Sequence, residues 1–159
     1  MVPDSEDEFI LAFLECRGTD YKLRRIEEVW AFDDWQIENT HDFIQWMFPL
    51  PLENTAQLSR PILSPVGAKK IAESSLALDS LTKSRSWYLN FLKKSSGWLQ
   101  KYDHNHLRIT RMLKSTALIN GPAVAQENYT LVKNIAGKNF HSIGKVAVAF
   151  WENALKING

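Results

Sequence analysis

Apolar residues recur at intervals of three and four along almost the whole chain, and that regularity restricts the fold more than any motif does. A helix turns once in about 3.6 residues while a strand alternates every second residue, so this spacing gathers side chains on helical faces and scatters them on a sheet. The fullest instance is IENTHDFIQWMFPLP. On a helical wheel Ile37, Phe43, Ile44, Met47 and Phe48 share a broad apolar arc with Trp46 at its edge. Pro49 and Pro51 then close the segment. The period predicts one continuous, central helix over Ile37 to Phe48, with Glu38, His41, Asp42 and Gln45 on the remaining sector.

The same reading sets the other elements. Ser5 and Glu8 have capping-box spacing, Phe9, Phe13 and Cys16 follow on one face, and Gly18 supplies a terminator. Leu23, Ile26 and Trp30 form the stripe of a second helix. Residues 51–64 read as a loop between Pro51 and Pro61, and Ser64-Pro65 is an N-cap followed by a first-turn proline. Helical pattern continues to Lys94, with a break near Ser75 to Ser80, and Leu78, Leu81, Leu89 and Leu92 share a face with Arg85 in its middle. Asp103 can cap a helix running to Ile119 with Ile109, Met112, Leu113 and Ala117 inward, and Asn120-Gly121 ends it. Pro122 opens another helix and Gly137 closes it. The VAVAF run alternates as a strand would, yet Ile143, Ala147, Phe150 and Ala154 keep helical spacing from Phe140 to Leu155. The expected architecture is all-α: a compact bundle of about seven helices in a single domain over residues 1–159.

Composition bounds the function. Nineteen basic and eighteen acidic residues leave a net charge of +1, so no global field draws in nucleic acid or an anionic membrane. The one cysteine, Cys16, has no partner in the chain, which favours a reducing compartment. The acidic start (Asp4, Glu6, Asp7, Glu8) differs from a secretion signal, and no apolar run reaches membrane-spanning length. The location expected is cytoplasmic, or nuclear in a eukaryote.

The IENTHDFIQWMFPL segment resembles the hallmark of the opioid growth factor receptor conserved domain, in which an acidic residue precedes a His by three and an Ile-Gln-Trp-aromatic-Pro run follows. Trp30 with Asp33, Asp34 and Trp35 resembles the Trp/Asp-rich segment upstream of it. HLRITRMLKSTALING and FWENAL resemble two later helices of that domain. The resemblance implies a binding function, which in vertebrates is linked to a pentapeptide opioid ligand and to growth inhibition. Here Phe32 stands where a Gly is usual and Trp35 where a Tyr is usual.

Among the candidate site residues, Glu38, His41 and Gln45 project from neighbouring turns of the expected helix, so a carboxylate can orient the imidazole toward a ligand. Trp30 and Trp35 are the expected exposed aromatics of a recognition surface, whereas Trp46 belongs to the core. Arg85 amid four leucines requires a carboxylate, carbonyls or an anionic ligand, or else a path for its head to water. Arg108, Arg111 and Lys114 make the outer, basic side of their helix; such a stripe can meet an anion or nucleic acid, although three cations more often mean a solvated face. His104 and His106 diverge by about 200° on a helix, which argues against metal ligation from one face, and His106 turns inward.

No Gly-rich phosphate loop or nucleophile motif is present, and no cofactor or metal is expected. Two readings remain. The first is a non-catalytic module that recognises a peptide or protein segment in an aromatic groove. The second is a small-ligand receptor or enzyme with a sealed pocket around His41, Gln45 and Arg85.

Overall fold

The computed structural model describes residues 3–51 and 61–156 of the chain, so most of the expected 51–64 loop lies outside the described residues. It is all-α, as expected: nine α-helices and one 3-10 helix occur among the described residues, with no strand beyond an isolated Thr19–Arg25 bridge. The larger helix count arises because two long helical patterns are each cut once. Contacts divide the chain into two compact units, Met1–Ser84 and Arg85–Gly159.

In the first unit, α1 (Pro3–Leu14) buries Asp7, Ile10, Phe13 and Leu14, a stripe at helical spacing. Its buried arc is rotated from the expected one, because Phe9 is exposed and meets Tyr21 edge-on. The helix already runs from Pro3, so Ser5 is not its cap. It also ends before Gly18. Cys16 takes the left-handed conformation at φ 64°, and Arg17 N–H donates to Ala12 O while Cys16 N–H donates to Phe13 O, a Schellman closure built on a non-glycine residue.

Asp20 organises the next turn: Oδ1 accepts from the N–H groups of Lys22 and Arg24, and Oδ2 accepts from Arg24 Nε. That turn holds Leu23 at φ 62° with its side chain in solvent, so α2 is shorter than its stripe suggested and spans Ile26–Trp30. Next, α3 (Asp34–Asn39) opens on a reciprocal box, in which Asp33 accepts from Gln36 N and Gln36 Oε1 accepts from Asp33 N. After a break comes α4, the single turn Ile44–Met47. Phe48 then leaves the helical region at φ −135° and ψ 77° before Pro49, which disfavours a helical residue ahead of it.

The Ser64-Pro65 start of α5 (Pro65–Ala72) is as expected, with Ser64 Oγ accepting from Gly67 N. Ser64 is in turn held by Asp7 of α1, which accepts both its N–H, at 2.9 Å, and its hydroxyl. The break after α5 falls at Glu73-Ser74, just before the expected place. Ser74 caps α6 (Ser75–Lys94) by accepting from Ala77 N.

The second unit begins within α6 and continues through α7 (Asn105–Asn120), α8 (Pro122–Ala136), the 3-10 helix Gly137–Ser142 and α9 (Lys145–Ala154). Asp103 supports the start of α7 by accepting from Asn105 N and Nδ2. Gly121 and Gly137, both at positive φ, end α7 and α8 as expected. Packed against both α8 and α9, α7 is the centre of this unit. His106 is a core residue: Nε2–H donates to Trp98 O at 2.7 Å, and its ring meets Trp151 edge-on. Trp151 Nε1 donates to His106 O, and Tyr129 of α8 donates to Glu152 of α9. Burial first, then the Glu152 hydrogen bond and charge, push the Tyr129 phenol well above its usual range, so it remains a donor.

The last helix is helical rather than extended, but its inward face differs by one residue from expectation. Trp151 is buried and Phe150 is exposed.

Candidate functional site

The first unit separates the residues that the sequence grouped. Glu38 lies in α3, His41 in the break and Gln45 in α4, so they do not occupy successive turns of one helix. The break has a physical cause. Arg24, fixed by the buried Asp20, also reaches Asp42: Nη2 lies 3.0 Å from Oδ1 and donates to the backbone oxygen at 3.3 Å. Drawing that carbonyl toward a guanidinium removes it from the helical ladder, and Thr40 is extended. His41 is exposed, Glu38 is half-buried and Gln45 is buried.

Burial raises the Asp42 carboxyl, but the hydrogen bonds and charges of Arg24 and Lys22 outweigh it and hold the group below its usual range. A depressed folded-state value gives stability that is present above the unfolded value and lost as pH falls through the folded one. Asp42→Asn is therefore expected to lower the free energy of unfolding near neutral pH, by about 1 kcal/mol or less because the carboxylate remains partly exposed. The gap to the parent should close as pH falls, and a gap unchanged down to about pH 2 would contradict this origin.

Trp30 is half-buried: its Nε1 donates to Ser84 Oγ at 2.9 Å and the Lys83 ammonium lies 4.3 Å from its ring centroid. Trp35 presents its indole to solvent, 71% exposed, as expected for a surface aromatic. Trp46 and Phe48 are core.

In the second unit Arg85 is buried, and its Nη1 donates to Asn120 Oδ1 at 3.2 Å, with Glu127 contributing opposite charge. One of its partners is thus a carboxamide at the end of α7, and the charge of Glu127 acts on it as well. The expected basic outer stripe does not exist. Arg108 is buried and donates to Asn105 Oδ1, while Arg111 and Lys114 are half-buried. Helices α8 and α9 flank α7, and Arg108 is drawn into a polar contact with Asn105 instead of a solvated face.

A groove of about 960 Å³ opens to solvent at the start of α7 and α9. Its apolar surface is built from Tyr102, Leu107, Val146 and Phe150, which are 74%, 72%, 67% and 52% exposed. Four large apolar side chains left in water at one place form a contiguous patch rather than scattered exposure. Lys101, Lys145, His104 and His141 also line it. His106 contributes to the lining, but its Nε2 is already committed to Trp98 O. The groove therefore offers shape, apolar area and positive charge.

Neither Trp30 nor Trp35 lines this groove. The sequence does not reveal the groove, because the helical spacing of Ile143, Ala147, Phe150 and Ala154 turns Phe150 inward, whereas Phe150 and Leu107 are both exposed. The available signal was the Val146/Phe150 pair, one turn apart, competing with Ala147/Trp151 for the buried side.

The fold is all-helical and carries an open groove lined by exposed aromatic and aliphatic side chains. The chain belongs to the family of the opioid growth factor receptor (OGFr) conserved region, which it matches over residues 8–158. No match was found among curated proteins, and none among solved structures. No helix among the described residues is long and apolar enough to cross a membrane.

Proposed function

We propose that this domain is a non-catalytic binding module that takes up a peptide or protein segment. The observation that carries the reading is the open groove between the starts of α7 and α9, with Leu107, Val146 and Phe150 unburied in its wall. An open apolar trough suits a chain that lays several side chains along it, whereas a small reactant needs enclosure and convergent polar groups. Membership of a family linked to peptide binding supports the same reading.

Selection of displayed peptides against the full chain, followed by fluorescence anisotropy, tests it. Leu107→Asp and Phe150→Ser should each weaken the selected peptides by about tenfold or more. Thermal unfolding should be unchanged, because exposed side chains leave no cavity. Trp35→Ala, in the other unit, should bind as the parent does. Selected peptides that ignore both groove substitutions, or that lose binding with Trp35→Ala, would contradict the assignment.

A further inference from the structure

The groove is not only apolar. Gly144 packs so closely on the preceding segment that a Cβ there would lie 2.5 Å from Lys101 O. This contact brings Lys101, whose ammonium lies 5.4 Å from the Tyr102 ring centroid, beside the first residue of α9, Lys145, and both exposed lysines line the groove. A lysine in the first turn opposes the helix's own dipole, so its placement is not explained by helix stability. The N-cap residue Gly144 makes no side-chain cap bond, and the unshielded start of α9 adds to the same positive field. Asp103 also lines the groove, its Oδ2 accepting from Asn105 N and Nδ2, and offsets one of these charges, so two lysines against one acid leave the lining net positive. The whole chain is nearly neutral, so this is a local concentration of charge.

Resting on the binding reading above, we propose that the groove selects an acidic segment. An apolar or aromatic side chain of the partner lies on Leu107, Val146 and Phe150 while neighbouring Asp or Glu residues meet Lys101 and Lys145. Nucleic acid would meet the same charges, but the apolar wall between them matches aliphatic and aromatic side chains rather than a phosphate backbone.

Three synthetic peptides sharing a Phe and a Leu one helical turn apart, flanked by Glu, by Ser or by Lys, are measured by anisotropy against the full chain. The Glu-flanked peptide should bind about tenfold tighter than the Ser-flanked one, the Lys-flanked one weakest, with the spread narrowing as salt rises. A Lys101→Glu/Lys145→Glu variant should reverse the order, an outcome that mere structural damage cannot produce. If that variant melts early, Lys145→Gln and the salt series still decide. Equal binding of the Glu- and Ser-flanked peptides overturns charge selection and leaves the binding reading standing. Failure of all three peptides to bind overturns both. A single-stranded oligothymidine that binds tighter than the Glu-flanked peptide and displaces it overturns the choice of partner.

Discussion

Replacing Trp46 by Ala should lower the free energy of unfolding by about 3–5 kcal/mol, as measured by urea titration. The indole is essentially inaccessible and lies between two rings, with centroids 5.4 Å from Phe13 and 4.8 Å from Tyr21. It joins α1 to α4, a helix of one turn that has no means of holding itself together. Truncation therefore removes both buried area and the anchor of that turn. A loss below about 1 kcal/mol would mean that the side chain is not packed as described.

A comparable loss, about 3–5 kcal/mol, is expected for Trp151→Ala in the second unit. Trp151 contacts the rings of His106, Tyr129 and Phe140, and its Nε1 donates to a buried carbonyl of α7. Trp151→Phe separates these contributions. It retains most of the apolar contact but leaves His106 O with one fewer donor, so about 1–3 kcal/mol should be lost. Thr110 Oγ1 also donates to that oxygen, which sets the expectation toward the lower end. If Trp151→Phe costs as much as Trp151→Ala, the hydrogen bond rather than packing holds α9 in place.

These two residues also mark where the sequence was readable and where it was not. Capping chemistry is local, so Ser64-Pro65, Gly121, Pro122 and Gly137 could be placed without tertiary knowledge. His106 was likewise placed in the core by its spacing from Ile109 and Leu113. The break at Thr40 to Phe43 was hidden because its cause, Arg24, is remote in sequence and acts on a backbone carbonyl. Arg108 falls on the outer side of a helical wheel, which cannot show that Asn105, three residues back, draws the guanidinium inward.

The candidate groove was hidden for a related reason. Its wall depends on whether Phe150 or Trp151 turns inward, a choice of one residue that periodicity in an alanine-rich helix does not make. Trp151 is the residue that turns inward, where its indole N–H donates to His106 O. Phe150 is then carried outward beside Val146, and the same register that completes the core leaves the groove its apolar wall.

That connection makes the location of binding the decisive observation. Backbone amide shifts of the isotopically labelled chain, recorded during titration with the Glu-flanked peptide, test it most directly. The account predicts perturbations clustered over residues 101–110 and 141–150, with Trp30 to Gln45 unchanged. Perturbations centred on Trp30 to Gln45, with the groove silent, would contradict it.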